Sequence, residues 1–161
     1  MKHDLGELGH VGRLLSEVLG LLEGERRRLE ERYGPNPGGD HSAGGPMQTM
    51  HGIRDLCEGV RRALKGVALG VGYISLSLDA EADHTVRMVR KGMLAVPSGV
   101  DRMARPLGED VVRALERLRD LDGFFDGDLA LEVDVALAAP QATYPPDDWA
   151  EYDRQRRTRP D

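Results

Sequence analysis

Apolar residues recur at intervals of three and four along the first part of the chain. One stripe runs through residues 8–29 with a single polar member, Glu25, and a second runs through residues 50–67 without interruption. This spacing places the apolar side chains on one face of a helix. We therefore predict a long helical hairpin over residues 5–66. Its stripe residues are Leu8, Val11, Leu15, Val18, Leu22, Leu29, Met50, Ile53, Cys57, Val60, Leu64 and Val67.

The connection between these two helices is rich in glycine and proline. Residues 34–46 have the sequence GPNPGGDHSAGGP, which favours a flexible linker or an exposed loop. We expect the first helix to end at Gly34 and the second to extend from about Met47 to Lys65. Two matching stripes with a long connection are typical of an antiparallel pair. Gly20 and Gly24 lie one turn apart on the first helix, and we expect them to allow close approach of another helix.

Two later segments alternate apolar and polar or small residues, which indicates short strands. They are residues 74–78 and residues 129–137. Two helical faces lie between them, Ala82, Val86, Val89 and Met93 on one and Leu107, Val111, Ala114, Leu118 and Leu121 on the other. The predicted fold class is α+β and mainly helical: a long helical hairpin, then two helices framed by short β-strands, then an extended C-terminal tail.

Composition and length indicate one domain. The 161 residues are 40% hydrophobic but only 4% aromatic, so the core must consist mainly of aliphatic side chains. We assign residues 1–139 to a helical domain and residues 140–161 to an interaction tail. The single cysteine, Cys57, excludes an internal disulfide. Its place in an apolar stripe predicts a buried structural thiol. The sequence has neither a signal-peptide pattern nor an apolar run of membrane-spanning length, so we expect a cytoplasmic protein.

Charge is distributed in blocks of opposite sign. The formal net charge is −6, yet residues 84–106 have five cations and one anion. Residues 107–153 have thirteen anions and three cations, and residues 154–161 have four cations and one anion. Such blocks guide association within one molecule, between copies or with another protein.

Catalytic and metal-binding patterns are weak. Residues 79–84, DAEADH, place acids at alternate positions, but a calcium loop requires glycine where His84 stands and glutamate where Arg90 stands. An acidic helix start accounts for the acids better. A metal-dependent hydrolase could use the histidines, among them His41 and His51, with Asp40 or Asp83, although the spacing matches no known ligand motif. We predict no enzymatic activity and no cofactor.

The tail contains the sharpest interaction signal. Trp149 and Tyr152 stand three residues apart among acids, directly before a cluster that includes Arg154, Arg156 and Arg157. Two aromatic side chains at this spacing are suited to anchoring in a groove. The predicted strand over residues 129–137 adds an open edge for binding, and its candidate partner-binding residues are Leu131, Val133 and Val135.

The predicted function is a non-enzymatic assembly or adaptor subunit of helical-bundle or coiled-coil character. It would self-associate as a homo-oligomer or bind a larger intracellular, virion or secretion-type complex. The main alternative is a small accessory subunit that contacts nucleic acid through residues 84–106, which include Arg87, Arg90, Lys91, Arg102 and Arg105. The net negative charge and the acidic block that follows oppose this alternative. The metal-dependent hydrolase is the weaker alternative.

Overall fold

The computed structural model describes residues 3–39, 41–125 and 127–139. Within them the chain forms α-helices and one 3-10 helix. The elements in chain order are α1 (Leu5–Tyr33), α2 (Pro46–Ser75), α3 (Asp79–Ala95), the 3-10 helix (Val96–Arg102), α4 (Glu109–Arg119) and α5 (Asp128–Ala138). The helix α1 packs against α2 and α4, and the other face of α2 packs against α3 and the 3-10 helix. The helix α5 covers α4, the 3-10 helix and α3.

The ends of the first two helices follow local backbone chemistry. The Asp4 side chain accepts a 2.8 Å hydrogen bond from the Gly6 amide and caps α1. At the other end, Gly34 has a φ of 81°, which glycine adopts without strain, and its amide donates to the Glu30 carbonyl. The helix α2 then begins with Pro46, whose missing N–H costs nothing at a first helical position.

The predicted hairpin is confirmed in its essentials. Both apolar stripes lie in the core, and within them only Glu25, Leu29 and Leu64 are partly exposed. The helix α2 is longer than predicted, however, because it continues through Gly66, Gly70 and Gly72 to Ser75. The faces predicted for the two later helices are also confirmed, since nearly all of their apolar residues are buried in α3, α4 and the turn after α4.

The predicted strands are wrong, because none of the described residues assigned to them forms a strand and most of them lie in α2 or α5. In residues 74–78, Ile74 is buried and continues the helical stripe of α2, while Leu76 and Leu78 are exposed in the turn before α3. In residues 129–137, Leu129, Val133 and Ala136 are buried on one side of α5. In a short run of alternating apolar and small residues, every second residue falls on one face of a strand, but residues three and four apart also fall on one face of a helix. Packing against α4 selects the helical one.

Glycine has a different role in packing from the one predicted. A Cβ on Gly20 would meet nothing within 4 Å, and one on Gly24 would meet only side-chain tips at 3.9 and 4.0 Å. The expectation of close approach at these positions is therefore wrong. Close approach occurs instead on α2, where three glycines face α3 and the 3-10 helix.

Candidate functional site

Glycines at intervals of seven mark the contact between α2 and the elements that follow it. A Cβ on Gly52 would lie 2.5 Å from the Gly99 carbonyl oxygen and 2.6 Å from Cγ of Met103. A Cβ on Gly59 would lie 2.6 Å from Cγ2 of Val96, and one on Gly66 would overlap Cγ2 of Val89. Real Cβ atoms do not fit at these distances, so the backbones approach as closely as they do only because these residues are glycine.

The partners of these glycines have the same seven-residue spacing in the opposite direction. Gly66 meets Val89, Gly59 meets Val96 and Gly52 meets Met103, so α2 and the chain from α3 onward align in one antiparallel register. Our reading of the sequence missed this feature. The signal was present in the matching intervals, because a glycine series and an aliphatic series with one common period predict an interdigitated antiparallel pair.

An open groove of about 860 Å³ lies along this contact and is lined by α2, α3 and the 3-10 helix. Its lining includes the backbone at Gly59, Gly66, Gly92 and Gly99, together with small and aliphatic side chains. Leu69 of α2 and Met88 of α3 line it as well, and they are 55% and 54% exposed. Apolar side chains this exposed on two adjacent helices form a surface that water solvates poorly.

Charged residues occupy different parts of the groove. At the end formed by the middle of α2 and the 3-10 helix, Asp55 and Arg102 form an ion pair of 3.0 Å across the groove, and Glu58 pairs with Arg62 at 3.1 Å. Lys65 lies nearer Leu69 and forms no ion pair with any described residue. One end of the groove therefore has two carboxylates held in ion pairs, and the other end is apolar and has the cation Lys65 without an ion-pair partner among the described residues.

The apolar end of the groove, at Leu69 and Met88, is directed toward the end of the bundle where α1 begins, α2 ends and α3 begins. Leu8 of α1 and Val86 of α3 both lie within 4 Å of the position a Cβ on Gly70 would occupy. His3 contacts Asp83 at 3.2 Å. Further apolar side chains are exposed in these parts of the chain, namely Leu5, Leu76 and Leu78.

The predicted partner-binding residues of α5 have different environments. Leu131 and Val135 are 61% and 60% exposed, whereas Val133 is completely buried. There is no strand edge here for a partner to extend, because residues 129–137 belong to α5. Leu131 and Val135 form a second exposed apolar strip, and their role in binding stays a prediction. The tail residues Trp149, Tyr152, Arg154, Arg156 and Arg157 lie outside the described residues.

The basic segment is only partly available to a ligand. The Arg90 guanidinium lies over the Phe124 ring, with Cζ 4.5 Å from the ring centroid. Arg105 is buried, and desolvation lowers the pKa of its guanidinium while Asp101 partly offsets this shift. Two of the five cations therefore pack within the fold. This arrangement gives little support to the nucleic-acid alternative.

The candidate metal ligands are not brought together. Among the described residues, no three His, Cys, Asp or Glu side chains are grouped so that they could hold a metal ion. Asp83 contacts His3, His41 and His51 are exposed, and Asp40 lies outside the described residues. The acids of residues 79–84 begin α3, with Asp79 and Glu81 in its first turn, as expected for an acidic helix start.

Cys57 lies in the core, as its position in the stripe predicted. Its side chain is completely buried. Burial raises the pKa of the thiol to about 11, and the nearby charges of Arg26 and Glu30 have smaller and opposite effects. A thiol that stays protonated at neutral pH is a poor nucleophile.

Comparisons of the chain with protein-family models, with curated proteins and with solved structures give no match. None of the helices in the described part of the chain combines the length and apolar content needed to cross a membrane.

Proposed function

We propose that this chain is a non-enzymatic assembly or adaptor subunit that binds an apolar segment of another protein in the groove between α2 and α3. The observation that supports this most directly is the exposure of Leu69 and Met88 on the two walls of one groove. Large apolar side chains beside Gly92, where a Cβ would meet nothing within 4 Å, allow a partner to come close and to bury its own apolar side chains.

The groove suits an amphipathic partner segment with apolar residues on one face. It opens to solvent along two adjacent helices, and an α-helix presents such residues at intervals of three and four. The uncompensated Lys65 favours an acidic residue beside the apolar anchors. The ion pairs at the other end are exposed and contribute little to stability, so a partner could rearrange them at small cost.

We place this role in the cytoplasm. The sequence has one cysteine, Cys57, and a buried free thiol is common in a reducing compartment.

A photo-crosslinking amino acid at position 88 tests the proposal in cells that produce the protein. We expect a discrete adduct with one other polypeptide, and the same substitution at the exposed Ser16 of α1, outside the groove, provides the matched control. The partner identified in this way should then bind the purified chain directly. Leu69→Glu should weaken that binding about tenfold or more, because it removes an apolar contact and places a carboxylate in the interface.

Three results would contradict the proposal. The first is an absence of adducts at position 88 together with a monodisperse monomer in light scattering. The second is direct binding that Leu69→Glu does not weaken. The third is an adduct formed only with a second copy of this chain, which would show that the groove is a homo-oligomer interface.

A further inference from the structure

We propose that the chain's own C-terminal segment, residues 140–161, occupies the α2–α3 groove when no partner is bound. In this arrangement Trp149 and Tyr152 lie against Leu69 and Met88. The inference rests on the proposed function, because it takes the groove to be a surface that binds polypeptide. It adds that residues 140–161 compete with a partner protein for that surface.

The apolar content of the segment matches that of the groove. Its large apolar side chains are Tyr144, Trp149 and Tyr152. A tryptophan and a tyrosine each bury a large area when they enter a pocket, and their polar N–H or O–H can stay at the rim. Leu69 and Met88 offer the exposed apolar counterpart, and methionine adapts readily to aromatic rings.

The charges of the segment match the groove in one direction. The aromatic part includes Asp147, Asp148, Glu151 and Asp153, and four arginines follow it within residues 154–159. If the aromatic part lies at Leu69, its carboxylates come near Lys65. The arginines that follow then point along α2 toward Glu58 and Asp55, where they exchange with Arg62 and Arg102 as partners of these carboxylates. The two blocks of the segment thus meet opposite charges at both ends of the groove.

The point where the segment leaves the fold makes this geometry accessible. It follows α5, which packs against the 3-10 helix and α3, and both of these elements line the groove. The roughly ten residues between Ala139 and Trp149 can span about 33 Å when extended. A short tether gives an effective concentration on the order of millimolar, so at micromolar protein the chain's own segment outcompetes that of another copy.

Occupancy of this kind would control partner binding. A partner would bind only the fraction of molecules in which the groove is open, and its apparent affinity would fall by that fraction. Trp149→Ala should therefore raise the affinity for a partner while leaving the groove intact.

Trp149 is the only tryptophan in the sequence, so its fluorescence in the full chain reports on the segment directly. We expect blue-shifted emission that is protected from acrylamide and unchanged on dilution. The double variant Leu69→Glu/Met88→Glu should shift the emission to that of free indole in water. The control is Ser16→Glu, which introduces a carboxylate at an exposed position on α1 that does not line the groove and should change nothing.

Circular dichroism verifies that the variants fold, and Lys65→Glu repeats the test by charge alone at an exposed position. The inference is overturned if the parent protein emits like free indole, or if the groove variants leave the emission blue-shifted. Emission that changes on dilution would assign the groove to the segment of a second copy and would also overturn it. An adduct at position 88 with a different polypeptide supports the proposed function whichever of these results is found, so that function can survive the failure of this inference. Only the dilution-dependent result should be accompanied by an adduct with a second copy.

Discussion

The two sides of α2 are packed by different means. Toward α1, side chains fill the interface: Val67 packs beside Gly12, and Cys57 lies in a closed core. Ion pairs cover this seam from outside, among them the pair between Arg61 and Glu23. Toward α3 and the 3-10 helix, α2 presents glycine, and the neighbouring backbone or aliphatic side chain rests directly on its own backbone.

The comparison shows why one side is sealed and the other offers a site. Where large side chains interdigitate, apolar surface is removed from water and the seam closes. Toward α3 and the 3-10 helix, Val89, Val96 and the Gly99 backbone occupy the space above the glycines. Leu69 and Met88 remain exposed beside this contact, where the groove opens. The same helix thus supplies a closely packed interface on one face and borders an open groove on the other.

The largest expected effect comes from breaking the sealed side. Leu15 is completely buried in α1, and Leu15→Ala should lower the free energy of unfolding by about 2–5 kcal/mol through lost burial and the cavity left behind. Leu69→Ala removes the same atoms on the open side and should change the free energy of unfolding by less than about 1 kcal/mol. Urea denaturation measures both. Equal losses would show that the two sides do not differ in this way.

An intermediate effect is expected at the glycine contact. Gly52→Ala places a methyl group against the Gly99 carbonyl, which is backbone and cannot move aside cheaply. The cost should be about 1–3 kcal/mol. The matched control is Gly72→Ala in the same helix, where a Cβ would meet nothing within 4 Å and stability should rise by up to about 1 kcal/mol. If Gly52→Ala were also stabilising, close approach would not explain the glycine series.

The smallest effect on stability is expected from the ionisation of Cys57, which lies on the side of α2 that packs against α1. Its pKa is about 11 in the folded protein, against 9.0 ordinarily. The folded chain therefore keeps a proton that the unfolded chain loses above pH 9. This contribution to stability is complete below pH 9 and declines as the pH rises toward 11, by at most about 2 kcal/mol.

Urea denaturation of the parent and of Cys57→Ala across pH 8–11 measures how the free energy of unfolding depends on pH. The variant lacks the thiol, so its free energy of unfolding should fall less over this range than that of the parent. At neutral pH a thiol reagent should label Cys57 slowly in the native protein and fast in denaturant. Rapid native labelling would show that the sealed side opens readily.

The sequence by itself determined where the long helices lie and which faces they bury. The stripes of α1 and α2, the buried faces of α3 and α4, and the core position of Cys57 follow from a spacing of three and four. These features are local, because the period of apolar residues and the flanking glycine and proline express the geometry of one helix at a time.

Only the tertiary structure decided the conformation of the short apolar segments and the use of glycine. Residues 129–137 fit a strand or a helix equally well by pattern, and the neighbouring α4 determines the outcome. Gly20 and Gly52 look alike in the sequence, yet only Gly52 has a backbone beside it. The groove between α2 and α3 likewise depends on the register of two helices. The free energies that set this register arise from contacts between residues far apart in the chain, and no single segment contains them.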